Sequence, residues 1–318
     1  MRAFVYSGQP SRVVFRAGAL DELGAEIERL GAHRALVLST PEQRASAEDV
    51  SRRLGARSVG VYDRAVTHVP IETAQAAREM AKSLNADCCG AIGGGSTIGL
   101  GKAIALTSAL PILAIPTTFA GSEMTPIYGI TADGQKKTGR DAQDANPVTS
   151  LMAEEGIRAL ASSLPLVVSK PDNLDARSEA LCGAWLAGAC LGNVGMALHH
   201  KLCHTLGGSF NLPHAQTHAI ILPHVVRYNR DAALVALARV GRALIRSDLP
   251  GASPAAALYD LAQKIGAPLA LRDIGMKDGS LDEAARLATQ NPYYNPRPIE
   301  YAAIRQLLQH AWEGRRPG

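Results

Sequence analysis

Residues 91–105 read AIGGGSTIGLGKAIA, and the fold class follows from this stretch and what flanks it. Gly93, Gly94, Gly95 and Ser96 come directly after the short apolar run Cys88–Ile92 and directly before a helix-period segment. Three consecutive glycines are entropically costly, so they mark a place where backbone must turn sharply or approach something closely. A helix start adds unpaired N–H groups and the positive end of the helix dipole, which together suit a pyrophosphate. The segment is not a Walker A loop, because Ser96 stands where that motif needs Gly and Ala103 where it needs Ser or Thr. It does not match GxGxxG either.

Outward from this loop, short apolar runs alternate with helical patterns. The apolar runs are Arg12–Arg16, Ala35–Ser39, Ser58–Tyr62, Cys88–Ile92 and Pro111–Ile115; the helical ones are Leu20–Leu30, Ala45–Leu54 and Ile71–Leu84. Short, wholly apolar strands between helices predict a parallel sheet covered on both faces, that is, a doubly wound α/β domain. A second polar turn, PTTFAGSE over 116–123, follows the next strand on the same sheet edge and offers the hydroxyls of Thr117, Thr118 and Ser122 to the same ligand. From about Ala142 onward the pattern is helical: Leu151–Leu164, Ser178–His204, Ala232–Ile245 and Ala255–Ile265. The expected organisation is a dinucleotide-binding α/β domain over 1–141 and an all-helical substrate domain over 142–318.

Composition narrows the function classes. With 318 residues, 47% of them hydrophobic, the chain can fill two cores, which excludes disorder. The net charge of +4 is mild and aromatics make up only 4%, too few for the stacking platforms of a single-strand nucleic-acid binder. A small anion needs only a few local cations and fits better. The N-terminal stretch lacks a signal-peptide layout and no apolar run approaches the ~18 residues that span a bilayer, so a cytoplasmic protein with no membrane partner is expected. Five cysteines without a CxxC pair read as reduced, buried thiols.

The sharpest chemical signal lies in the second half, where six of the nine histidines fall between His199 and His224. His200 and His204 are four apart on a predicted helix, so their imidazoles share a face. Gly207 and Gly208 are expected to end that helix, and Asn211-Leu212-Pro213 to turn His214 back toward it. Three converging imidazoles can bind a divalent metal or polarise and protonate a substrate near neutral pH. His199, His218 and His224 are assigned to packing or to supporting hydrogen bonds.

Together GGGSTIGLGKA (93–103), PTTFAGSEMTP (116–126), KKTGRD (136–141) and HHKLCHTLGGSFNLPH (199–214) resemble the iron-containing alcohol dehydrogenase superfamily, and the likeness runs from RVVFRAGAL at 12–20 to NPYYNPRPIE at 291–300. The second loop lacks the extra Gly-Thr of the metal-dependent alcohol dehydrogenases, and KKTGRD is likewise typical of the superfamily's reductases. The resemblance implies an active site between a dinucleotide domain and a helical domain, with Gly93, Gly94, Gly95, Ser96, Thr117 and Thr118 contacting NADH or NADPH. It places His200 and His214 at metal-ligand positions of the alcohol dehydrogenases and His204 beside the nicotinamide. The implied activity is reduction of the carbon–carbon double bond of maleylacetate, a step in aromatic compound degradation, by a homodimer that does not require a metal. One departure stands out: family members carry roughly 35 to 40 residues between the positions matching Asp141 and Asp144, including an Asp or Asn and, four residues on, a His that complete the metal set. The junction Asp141-Ala142-Gln143-Asp144 is expected to mark a segment left out of the sequence.

Such a reductase must stabilise enolate charge and supply a proton, roles given to His204 and His214 with His200 beside them. Cations must hold a dicarboxylate substrate. Lys136, Arg140 and Arg297 are the leading choices, ahead of Lys137, Lys201 and Arg272, and the prolines flanking Arg297 restrict its backbone. The alternatives are a metal-dependent alcohol dehydrogenase and a non-catalytic dinucleotide binder.

Overall fold

The computed structural model describes residues 12–318 apart from 68, 109, 126–127, 133–134, 140–146, 245–252 and 291–292, and for 128–132 and 135–139 the backbone alone. The chain divides into two compact units, Met1–Asp141 and Ala142–Gly318.

The first unit is built on four parallel strands, β1 (Ala35–Leu38), β2 (Ser58–Tyr62), β3 (Cys88–Gly93) and β4 (Ile112–Pro116), in the spatial order β2-β1-β3-β4. Alternation along β1 shows why both faces are covered. Leu36 and Leu38 join Cys89 and Ala91 against α3 (Ile71–Ser83) and α4 (Gly95–Ser108), whereas Ala35 and Val37 join Cys88 and Ile92 against α1 (Leu23–Arg29) and α2 (Arg44–Leu54). This is the doubly wound α/β arrangement, and the order of its strands reverses between β1 and β3. Ligands of open α/β sheets bind outside the carboxyl ends of the strands at such a switch point. One expectation is corrected, and one element is added. Arg12–Arg16 is not a strand, and its Val13 and Phe15 are exposed. The stretch after β4 adds an antiparallel hairpin of β5 (Tyr128–Ala132) and β6 (Gln135–Gly139); the polar QKKTG of β6 carries no strand-like apolar signal.

The second unit is helical among its described residues: α5 (Pro147–Ser169), α6 (Leu174–Asn193), α7 (Leu198–Phe210), α8 (His214–Tyr228), α9 (Leu234–Leu244), α10 (Pro254–Lys264), α11 (Leu281–Thr289) and α12 (Tyr301–Glu313). The single helix expected over Ser178–His204 is two helices at 98° to one another. Asn193 Nδ2 donates to the Ala189 carbonyl at 2.7 Å, and Val194 leaves the helix in extended backbone. Nor do Gly207 and Gly208 end α7: the helix runs through them to Phe210 and stops at Asn211, which takes the left-handed conformation (φ 53°, ψ 33°) that Asn tolerates better than most residues. Leu198, Leu202 and Leu206 form the buried stripe of α7, packed on Ile220 and Ile221 of α8 and on α11 and α12. No single described helix is long and apolar enough to cross a membrane.

Candidate active site

In the first unit, the glycine loop stands at the switch point, and each of its glycines has a different reason to lack a side chain. Gly93 has φ 153°, and a Cβ there would lie 2.4 Å from Thr97 Oγ1 and 2.7 Å from Gln43 Oε1. A Cβ on Gly94 would meet Thr118 Oγ1 at 3.0 Å, so the two loops touch at this point. A Cβ on Gly95 would meet nothing within 4 Å. Gly95 and Ser96 open α4, whose first amides have no acceptor within the helix. An exposed, side-chain-free helix start beside a topological switch point is a cradle that a phosphate fits and that a Cβ would begin to fill. Thr117 is tied to the loop after β1 by Gln43, whose Nε2 donates to Thr117 Oγ1 at 2.7 Å, and to β3 by its own amide, which donates to the Gly93 carbonyl at 3.1 Å.

Ser122 is engaged from within the protein. Lys102, on α4, donates from Nζ to the Ser122 carbonyl at 2.6 Å, to Ser122 Oγ at 3.4 Å and to Thr125 Oγ1 at 3.1 Å. Burial pushes the ammonium down to about 8, an effect that Glu123 partly offsets. Burial likewise raises the Glu123 carboxyl, and its Oε2 is buried without a hydrogen-bond partner. The sequence reading passed over both residues. The available signal was a lysine inside an otherwise apolar helix, since a buried ammonium needs acceptors.

In the second unit, α7 and α8 form a hairpin joined by Asn211–Pro213, and it gathers the histidines. His200 and His204, two positions on from the leucine stripe, have ring centroids 6.1 Å apart. His214 and His218, one turn apart on α8, are at 4.2 Å. His218, assigned above to packing, is the hub of the cluster: it also meets His200 at 5.2 Å and His199 at 4.8 Å. His199 Nε2 lies 3.2 Å from the His218 carbonyl, and because a carbonyl only accepts, this ring carries its proton on Nε2. Burial, then the neighbouring imidazoles, hold His200 at about 3 and push His218 down; burial alone lowers His199. These rings are therefore neutral at neutral pH and offer hydrogen-bond donors or metal ligands rather than charge.

The remaining cations separate from this cluster. Arg297 lies over the Tyr228 ring, 4.2 Å from its centroid, at the far end of α8. Fourteen residues separate Tyr228 from His214, roughly 21 Å at 1.5 Å per helical residue, so the structure does not bring Arg297 to the histidines. Lys201 stands over Tyr293 and Arg272 over Trp312. Arg140 lies outside the described residues, and Lys136 and Lys137 are placed only as backbone positions on β6.

Both halves of the chain match one family. Residues 10–153 fit the model of iron-containing alcohol dehydrogenase, and residues 141–312 that of the Fe-containing alcohol dehydrogenase family, C-terminal. The chain belongs to the iron-containing alcohol dehydrogenase family. It is 52% identical to maleylacetate reductase of Burkholderia cepacia, with all of both chains covered, and 47% identical to that of Sphingobium indicum, with 99% of each covered. Crystalline maleylacetate reductase from Agrobacterium tumefaciens superimposes with a TM-score of 0.93 at 45% identity, covering 100% of both chains. The match to the B. cepacia enzyme runs over 356 residues, 38 more than the chain has, so alignment leaves at least that many positions without a counterpart here. This is the size of the stretch whose absence the sequence shows; the junction itself, 141–144, lies outside the described residues.

The described residues hold part of the metal set implied by the resemblance, whose remaining Asp or Asn and His belong to the stretch missing at Asp141–Asp144. His200 and His214 supply two imidazoles, but among the described residues no further donors complete a set with them. Among the described residues, the one three-donor group with its ligand atoms within 4.8 Å of one another is His199, Cys203 and His218, in which burial raises the Cys203 thiol.

Proposed function

We propose that the chain catalyses the NADH- or NADPH-dependent reduction of the carbon–carbon double bond of maleylacetate to 3-oxoadipate. The observation that carries this reading is full-length similarity to maleylacetate reductases. It is joined by a glycine loop fit for a pyrophosphate and a histidine cluster fit for oxyanion and proton work. When bound, the reduced nicotinamide supplies a hydride to the alkene carbon remote from the keto group. The protein's own tasks are to hold the pyrophosphate at Gly94, Gly95 and the start of α4, and to place N–H donors at the keto oxygen as it takes up the displaced electron pair. Neutral imidazoles suit that second task because they donate without bringing a competing full charge. His204 or His214 then delivers a proton to the enolate's own carbon, which lies between the keto carbon and the newly reduced centre, and the carbonyl re-forms. No step is routed through a metal, since the alkene conjugated to a carbonyl is already electrophilic.

The test is to mix the purified chain with maleylacetate and NADH or NADPH, with and without a chelator, and follow both nucleotide oxidation and product. One nucleotide consumed per 3-oxoadipate formed, unaffected by the chelator, supports the reading. Iron- or zinc-dependent oxidation of simple alcohols with no turnover of maleylacetate would replace it with a metal-dependent dehydrogenase. Nucleotide binding without turnover of either would replace it with a non-catalytic binder.

A further inference from the structure

At the end of α8 remote from the histidine hairpin, the second unit holds a pocket of about 390 Å³ lined by four arginines, Arg227, Arg297, Arg315 and Arg316, with His224 and His310 beside them. Two of its four guanidinium groups are neutralised inside the protein. Arg316 makes a bidentate pair with Asp260 at 2.7 Å for both bonds, and Arg315 pairs with Glu313. The other two have no carboxylate. Arg227 makes no side-chain hydrogen bond or ion pair among the described residues, and Arg297 is held by Tyr228 rather than by an acid.

Arg297 is fixed in place by a web of neutral bonds. Asn229 Oδ1 accepts from Asn295 Nδ2 at 2.8 Å and from the Arg297 amide at 3.3 Å, while Asn295 Nδ2 also donates to the Arg297 carbonyl at 2.7 Å. Tyr228 donates its hydroxyl to the Pro298 carbonyl at 2.6 Å, clamping the same loop from the other side. Arg297 Nη1 donates to the Tyr228 carbonyl at 3.3 Å, taking up a C-terminal carbonyl of α8 that would otherwise repel an anion. His224 is 5% exposed, and its Nε2 is buried with no hydrogen-bond partner, an unsatisfied group in the pocket wall.

Uncompensated guanidinium groups, one of them preorganised, beside an unpartnered buried imidazole in a cavity of this volume are the chemistry of oxyanion recognition. We propose that this pocket is a binding site for a small, multiply charged oxyanion, a phosphate or a dicarboxylate, separate from the histidine cluster. Its forks accept carboxylate and phosphate oxygens alike, so the source of the anion is settled by the probe.

The experiment titrates the full chain with inorganic phosphate and, separately, with succinate, at ionic strength held constant with chloride, by calorimetry. Saturable binding of either anion is expected, weakened at least about tenfold, ~1.4 kcal/mol, in Arg227→Gln. That variant folds normally because its side chain is exposed and makes no bond, and it leaves any phosphate bound at the glycine loop untouched. Gln306→Glu, which sets a negative charge on the pocket's rim, should weaken the same binding without removing any cation. Binding of phosphate alone or of succinate alone, weakened in Arg227→Gln and Gln306→Glu, supports the proposal and names the ligand class. Absence of saturable binding for both, or binding unchanged in Arg227→Gln and Gln306→Glu, overturns it.

Discussion

The hydroxyl oxygen of Thr118 stands 3.0 Å from the point where a Cβ on Gly94 would lie, so the two phosphate-side loops meet through a hydrogen-sized gap. Gly94→Ala therefore pushes the second loop away as well as narrowing the cradle. NADH affinity should fall at least about tenfold, ~1.4 kcal/mol, with the melting temperature little changed. Thr118→Ala removes the clash, so the double variant, compared with Thr118→Ala alone, separates the two effects. Affinity in the double variant that stays below that of Thr118→Ala alone, measured by calorimetry, assigns Gly94 to the pyrophosphate; equal affinity in the two would assign it to loop packing alone.

Lys102 should hold the turn at Ser122–Thr125 onto α4. Lys102→Met loses hydrogen bonds to a charged group and leaves Glu123 without its cation, a destabilisation of about 1–3 kcal/mol in denaturant unfolding. Adding Glu123→Gln should recover part of it. The titration carries its own sign. With the folded value at about 8 against an ordinary 10.5, the unfolded chain binds the extra proton between these values, so this group makes stability rise with pH across that window. Lys102→Met should abolish that rise; an identical pH profile would refute the assignment.

His204 faces the cluster one turn beyond His200. His204→Asn should keep nucleotide affinity and melting temperature while slowing maleylacetate reduction by roughly 10²- to 10⁴-fold, the range for loss of a general acid or base. An unimpaired rate with a clearly lowered melting temperature would make it a packing residue instead.

Burial, then His310, holds His224 at about 4, so on acidification the unfolded chain takes up its proton first, near the ordinary 6.5. The stability this neutral ring contributes is complete above about 6.5 and lost as pH falls toward 4. Denaturant midpoints at pH 7 and 5 should differ less in His224→Gln than in the unaltered chain; equal differences would show that the ring titrates freely.

The elements legible in the sequence were those written in local pattern. Cys88–Ile92 is apolar throughout because both faces of β3 are covered, and the glycines follow it immediately; His200 and His204 announce a shared face by spacing alone. What stayed hidden depends on partners distant in sequence or on competition between cap residues. Asn211 outcompeted two earlier glycines because Leu212, 3% exposed, is anchored in the core just beyond it. The break after Asn193 rests on a side-chain bond back into its own helix. His218 looked like one more core residue because its importance comes from three other rings. Arg297's fixed backbone and charge were visible, whereas the Tyr228 face it lies on, at the far end of α8 from His214, was not.

The left-handed Asn211 and the three-residue link to Pro213 make the histidine cluster a product of neighbouring sequence. Its contacts close over a short stretch of chain, so they are cheap in loop entropy and can form early in folding, without waiting for the sheet of the first unit. The same economy makes the link intolerant of length change: one inserted residue would rotate α8 by about 100° relative to α7, as the 3.6-residue turn requires, and carry His214 and His218 off the face they share with His200. Gain or loss of residues is thus barred at this turn.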